Sequence, residues 1–214
     1  MTQIIPAINV ENFEEIQKKI KMVEPFSDWA HLDAADGSFT PNITWHNHLD
    51  LVKLNTFINI EIHLMVQNPE NKLDGLLNQK IKRLIINVET SKKIDYIIEK
   101  CAEKKIELGL SVSPQTEIFV LAPYFKKIKF FQILAVLPGR SGQNFDTRSP
   151  EKIKRLKAAC PNCLIEVDGG INPETAKAAA ASGADILASS SYVFLDDNKD
   201  NIKNRINALR QAEK

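Results

Sequence analysis

Three stretches of the sequence end in side chains able to hold a cation or move a proton. Trp29-Ala30-His31-Leu32-Asp33-Ala34 is the first, and it runs on into Ala35-Asp36-Gly37. Residues 57–65 deliver His63, and 164–168 deliver Asp168, followed at once by Gly169-Gly170. If each stretch is a β-strand, the two-residue period puts His31 and Asp33 on one face. An imidazole and a carboxylate so placed can share an ion. Together His31, Asp33, His63 and Asp168 make a mixed nitrogen and oxygen set suited to one divalent metal, Zn²⁺, Fe²⁺, Mn²⁺ or Co²⁺, among which ligand softness does not choose. His46 and His48 fall in a loop and read as solvated.

The second set consists of small residues. Gly139, Ser141 and Gly142, then Gly169-Gly170, then Ser189-Ser190-Ser191 lie in turns that follow apolar runs late in the chain. Small residues let backbone N–H groups approach an anion, so these turns read as a phosphate cradle.

Groups this far apart in sequence meet only if the fold brings strand ends together. Residues 3–8 read as a first strand, and Asn12 with Glu15 resembles a capping box opening a helix whose apolar positions are Phe13, Ile16, Ile20 and Val23. Strands are expected at 29–34, 57–65, 83–88, 106–112, 128–136, 164–168 and 185–189. A helix is expected near 49–54, and another where Ile94, Ile97, Ile98 and Cys101 fall at i, i+3, i+4, i+7. Asn68-Pro69-Glu70, Ser149-Pro150-Glu151 and Asn172-Pro173-Glu174 each carry the grammar of a helix start, a capping side chain before a proline and an acid. The last helix is expected from about 201 to 211. Eight strands alternating with eight helices demand a parallel sheet and favour closure into a single (β/α)8 TIM barrel, an α/β fold of one domain over 1–214. No G-x-G-x-x-G follows the first strand, which argues against a dinucleotide fold.

Composition narrows the partners. Lys and Arg (28) nearly balance Asp and Glu (27), so the net charge of +1 gives no electrostatic footprint for nucleic acid or an anionic membrane. A small molecule is the expected partner. No apolar run approaches the roughly 20 residues of a membrane span, and Glu11 stands early where a leader would be basic and then apolar. A soluble cytoplasmic protein is expected. Three cysteines give no disulfide framework and suit a reducing compartment. Cys160-Pro161-Asn162-Cys163 fits redox chemistry or half a zinc site, but Cys101 alone cannot supply a second pair. The loop holding that pair enters a strand, the barrel face away from the chemistry.

Five segments carry a resemblance. His31-Leu32-Asp33 with Asp36-Gly37, Pro41-Asn42-Ile43-Thr44, His63-Leu64-Met65, Pro138-Gly139 with Gly142-Gln143, and Glu166-Val167-Asp168-Gly169-Gly170-Ile171 together resemble the ribulose-phosphate 3-epimerase family, in order along nearly the whole chain. The resemblance implies a (β/α)8 barrel that interconverts ribulose 5-phosphate and xylulose 5-phosphate. It implies metal ligation by His31, Asp33, His63 and Asp168, with Asp33 and Asp168 also the acid-base pair. It implies a sugar phosphate held by Ala7, Met65, Gly139, Arg140, Ser141, Gly142, Gly169, Gly170, Ser190 and Ser191, and it leaves a homo-oligomer open.

The chain departs from the family pattern at several places. Ala7 stands where the family usually has serine, Ala35 and Leu134 where it has methionine, Asn87 where it has histidine, and Ser113 where it has asparagine. Arg140 and Ser141 replace Phe and Gly in the lid, and Ser190 replaces a phosphate-loop Gly. Smaller side chains at 7 and 35 keep open an epimerase for another ketose phosphate, such as a hexulose 6-phosphate. A non-catalytic barrel that binds a sugar phosphate is the alternative from another class. A decarboxylase or synthase fits less well, because neither Asp33 nor Asp168 has a lysine within its motif.

Overall fold

The computed structural model describes residues 2–78 and 80–212. Eight strands, β1 (Gln3–Ile8), β2 (Trp29–Ala35), β3 (Asn59–Met65), β4 (Ile81–Asn87), β5 (Glu107–Val112), β6 (Phe130–Leu134), β7 (Leu164–Asp168) and β8 (Ile186–Ser189), close into a parallel barrel in sequence order. This is the (β/α)8 TIM barrel expected from the alternation. Among the described residues no helix is long and apolar enough to cross a membrane.

The helical layer is less regular than the sequence suggests. Its α-helices are α1 (Phe13–Val23), α2 (Leu73–Leu76), α3 (Ile94–Glu103), α4 (Ser149–Ala159), α5 (Pro173–Ala181) and α6 (Lys199–Gln211). Between β2 and β3 the chain makes only a 3-10 helix, His48–Lys53, and between β5 and β6 only Ile118–Tyr124, which contains Pro123. The three Pro-containing starts also diverge. Asn172 accepts from the N–H groups of Glu174 and Thr175, and Thr175 accepts in return, so α5 opens on a full capping box. Asn68 instead sits at φ 51° with no side-chain cap, and Pro69–Lys72 is a 3-10 turn leading into α2, which Gly75 interrupts at φ 79°. At α4 the cap lies upstream of Ser149: the Asp146 carboxylate accepts from the Arg148 N–H, and the Asp146 carbonyl accepts from the Ser149 N–H. At α1 only half of the expected box forms, Asn12 accepting from the Glu15 N–H.

Two apolar bodies hold the barrel. The larger lies between the sheet and the outer helices and includes Ile16, Ile20, Leu32, Ile62, Leu84, Ile97, Leu156 and Ile206. The smaller fills the lumen with Ile5, Ile85, Phe130 and Ile186, and Trp29 packs against it. Gly109 makes room for the largest of these, since a Cβ there would come within 2.6 Å of the Phe130 ring. The plug leaves the C-terminal end of the lumen to polar side chains, and that is where the predicted groups converge.

Cys160 and Cys163 are joined as a disulfide in the turn between α4 and β7, while Cys101 stays buried and free. The turn precedes β7, so the pair lies at the barrel end opposite the strand tips, as expected of that loop.

Candidate active site

Strand parity and register build the site. In the ladder between β2 and β3, His31 pairs with Glu61 and Asp33 with His63, so two levels of inward side chains stand side by side. Asp168 enters from the end of β7, opposite Leu134 of β6. Asp33 Oδ1 lies 3.4 Å from His31 Nε2 and 3.6 Å from His63 Nδ1, and His63 Nδ1 lies 3.9 Å from Asp168 Oδ2. Ligand atoms of His31, Asp33, His63 and Asp168 all lie within 4.8 Å of one another. The structure therefore brings together the four residues expected to form a cluster.

Several of these atoms have no partner but each other. His31 Nε2, His63 Nδ1 and Asp33 Oδ1 are buried without a hydrogen bond among the described residues. Buried polar atoms left so are costly, and a cation at their centre would satisfy all three at once. The outer nitrogens are already committed, His31 Nδ1 to Glu61 Oε1 at 2.8 Å and His63 Nε2 to Asn87 Oδ1 at 3.1 Å. With those nitrogens protonated, both rings present a lone pair inward, the form a metal requires.

The two aspartates are held in different states. Burial would raise Asp33, but the close approach of the His31 and His63 imidazoles outweighs it and holds its carboxyl well below the usual range. Burial, then the negative charge of Asp33, pushes the Asp168 carboxyl up to about 6. A pair of carboxyls driven apart in this way is the pattern of one base and one acid. In the metal-free site burial alone would lower His31, yet Asp33, Glu61 and Glu166 raise it well above its ordinary value, so a metal binding at Nε2 must displace a proton there.

Above this floor lies a cavity partly open to solvent. Asp33, Met65 and Asp168 reach it from the strands, and Gly169, Gly170, Ser190 and Ser191 from the loops after β7 and β8. The loop after β6 adds Gly139, Arg140, Ser141 and Gly142. Its fold is set partly by Gln143, whose amide donates to the carbonyls of Leu137 and Arg140 at 2.8 Å each. Gly170 sits at φ 65°, and a Cβ there would come within 2.6 Å of the Phe145 backbone nitrogen. The two loops therefore touch through a position that only glycine fits.

Ala7 does not belong to this group. It is fully buried beside His31 in the ladder between β1 and β2 and does not line the cavity. Ala35 is buried in the same way. His46 and His48 line a separate groove with Trp45 and Lys72, and His46 Nδ1 bonds the Thr44 carbonyl.

Comparison with known proteins agrees with the geometry. The profile of the ribulose-phosphate 3-epimerase family matches residues 3–194. The chain belongs to that family. It is 30% identical over 201 residues to the ribulose-phosphate 3-epimerase of Schizosaccharomyces pombe, covering 90% of this chain and 86% of the relative. It is also 30% identical to the ribulose-phosphate 3-epimerase of Chlamydia trachomatis, covering 98% and 93%. The chain is thus an isomerase-class enzyme. A 3-hexulose-6-phosphate synthase structure superposes with a TM-score of 0.74 at 12% identity, covering 99% of each chain, which speaks for the barrel alone.

The sequence reading missed Asn9. Its amide donates to Asp33 Oδ2 at 2.8 Å and to the Gly139 carbonyl at 3.1 Å, from the loop just past β1. Thr44, which its motif alone does not mark as part of the site, donates its hydroxyl to the Asp33 carbonyl and accepts from the Ala35 N–H, both at 2.8 Å, pinning the end of β2. Glu61 and Arg83 were also passed over. Their signal was available, since Glu61 shares the inward parity of His63, and both place a charge inside a strand.

Proposed function

We propose that the chain interconverts D-ribulose 5-phosphate and D-xylulose 5-phosphate by passing the C3 proton between Asp33 and Asp168. The observation that carries this reading is the pairing of two carboxyls on one cavity floor: Asp33 Oδ1 and Asp168 Oδ2 lie 3.6 Å and 3.9 Å from the same His63 Nδ1, within a cluster whose four ligand atoms all fall within 4.8 Å of one another. The C3 proton lies beside the C2 ketone, so its removal leaves a planar enediolate. Inversion needs the new proton to arrive on the other face. Asp33 takes a proton as base while Asp168 gives one as acid, and the reverse reaction exchanges the roles.

His31, Asp33, His63 and Asp168 would hold one divalent cation, for which their unpartnered inward atoms are fitted. When bound, the metal supplies Lewis-acid stabilisation of the charge that develops as the proton leaves. Which of Zn²⁺, Fe²⁺, Mn²⁺ or Co²⁺ serves is for metal analysis to decide. The protein's own groups do the rest. Met65 and Leu134 present apolar surface that keeps water from the carbanion. Gly169, Gly170, Ser190 and Ser191, which line the cavity from the loops after β7 and β8, would offer backbone N–H groups to the phosphate, and Arg140 with Ser141 and Gly142 would cover it.

A pentulose phosphate ranks above a hexulose phosphate because Ala7 and Ala35, the small residues that would make room, do not line the cavity. Purified protein should retain one equivalent of divalent metal and epimerise ribulose 5-phosphate with a higher kcat/KM than any hexulose 6-phosphate. Loss of metal to a chelator should abolish turnover, and added metal should restore it. A metal-free protein with full activity, or preference for the six-carbon ketose, overturns the reading.

A further inference from the structure

Four adjacent strands carry polar or charged side chains at successive ladder partners, with a register shift between Ile60 and Glu61 that brings Glu61 opposite Arg83. His31 of β2 pairs with Glu61 of β3, Glu61 with Arg83 of β4, and Arg83 with Glu107 at the start of β5. Strands in a barrel tilt, so a row of register partners descends along the axis, here from the aspartate and histidine cluster to the N-terminal rim. The side chains join in the same order. Glu61 Oε1 bonds His31 Nδ1 at 2.8 Å, Arg83 Nη1 donates to Glu61 Oε2, and Arg83 Nε donates to Glu107 Oε2 at 2.7 Å. His31 and Glu61 are wholly inaccessible, whereas the Glu107 side chain is 40% exposed. The guanidinium is fixed sideways by two rings, 3.7 Å from the Phe130 centroid and 4.6 Å from that of Trp29.

A charge row through a lumen otherwise plugged with Ile5, Ile85 and Ile186 calls for a reason. Buried ion pairs are poor sources of stability, and apolar replacements of similar volume are often neutral or better. Nor does the row form a second cation cage with Glu166. Both oxygens of Glu61 are engaged by His31 and Arg83, and Gln132 Nε2 donates to Glu166 Oε1 at 2.8 Å. The row does have one effect on the site. It accepts the proton on His31 Nδ1 and aims Nε2 at Asp33, whereas among the described residues His63 is oriented by the neutral Asn87.

We propose that Glu61 and Arg83 are positioning residues: Arg83 locks the Glu61 carboxylate, which fixes the tautomer, the direction and the donor strength of His31, and so sets the affinity of the site for a divalent cation. This rests on the reading of His31 as a metal ligand. A carboxylate behind a ligating histidine raises its basicity, and losing such a partner typically costs about 10–100-fold in metal affinity.

The test is zinc affinity, measured by competition with a chelator, for wild type, Glu61→Gln, Arg83→Lys and the double variant Glu61→Gln/Arg83→Met. The double variant removes both charges together and leaves no lone ion buried, so it keeps the fold where Arg83→Met alone would not. Zinc should bind about 10–100-fold more weakly to Glu61→Gln and to the double variant, with no further loss in the double because Arg83 acts through Glu61. Arg83→Lys, which keeps the charge, should recover most of the affinity. In the nitrogen-15 spectrum of labelled, zinc-bound wild type, His31 should carry its one proton on Nδ1 with the downfield shift of a carboxylate bond, and the shift should vanish in zinc-bound Glu61→Gln. Zinc binding within twofold of wild type in both Glu61→Gln and the double variant, or a His31 proton on Nε2, overturns the proposal. If wild type takes up no zinc, the metal reading of the site falls and the positioning role with it. Uptake that ignores the variants removes the positioning role alone.

Discussion

The side-chain amide of Asn9 donates to Oδ2 of Asp33 at 2.8 Å, and its second bond, to the Gly139 carbonyl at 3.1 Å, ties that carboxylate to the loop over the cavity. One residue therefore sets both the direction of the base and the position of the cover. Asn9→Ala should lower kcat/KM about ten- to a hundredfold, the equivalent of the 1.5–3 kcal/mol typical of a hydrogen bond to a charged group, with an unchanged fold. Steady-state kinetics beside a circular dichroism melt checks this. Unchanged kinetics would mean that the bond orients nothing.

The raised Asp168 carboxyl makes the metal-free protein sensitive to pH. Because the folded state holds this proton to about pH 6 and the unfolded chain only to the ordinary carboxylate range, the group favours folding most at low pH. That contribution falls away as pH rises through 6. Asp168→Asn removes the penalty, so metal-free variant should melt above metal-free wild type at pH 8, by an amount of order 2 kcal/mol, and the difference should close by about pH 4. Melting curves across that range decide it. A constant difference would show that the Asp168 carboxyl is not raised.

Two glycines of the cover should respond differently to alanine. Gly170 would place a Cβ 2.6 Å from the Phe145 nitrogen, whereas at Gly142, φ 83°, nothing lies within 4 Å. Gly142→Ala should cost about 1 kcal/mol from backbone strain alone. Gly170→Ala should cost more, because backbone must move, and should raise KM by displacing the loop after β6. Equal effects in chemical denaturation would show that the two loops do not depend on their contact.

Arg140 is exposed, lines the cavity, and takes part in no ion pair among the described residues. A cation there with no protein partner suits an anionic ligand. Arg140→Phe should raise KM for ribulose 5-phosphate several-fold, leave kcat nearly unchanged, and reduce the dependence of KM on salt. An unchanged KM at low salt would make it an ordinary surface arginine.

The barrel was legible because period-two parity and strand-end chemistry coincide. His31 with Asp33, and His63, sit at inward positions of runs that are otherwise apolar, and Asp168 closes such a run before two glycines. Helix starts were less legible. Asn68-Pro69-Glu70 and Asn172-Pro173-Glu174 look alike, yet the first meets Gly75 within two turns, while the second runs into four consecutive alanines that favour helix. Asn9 was not legible at all. Its contact with Asp33 depends on the alignment of Ala7 with His31 across β1 and β2, which no local pattern encodes.

The isotope pattern at C3 tests most directly whether two aspartates work from opposite faces. With ribulose 5-phosphate in deuterated water, the first xylulose 5-phosphate formed should carry deuterium at C3 while the remaining substrate keeps its protium, because the proton removed by one carboxyl is not the one returned. Remaining substrate that exchanges as fast as product forms would assign both steps to one base and contradict the account.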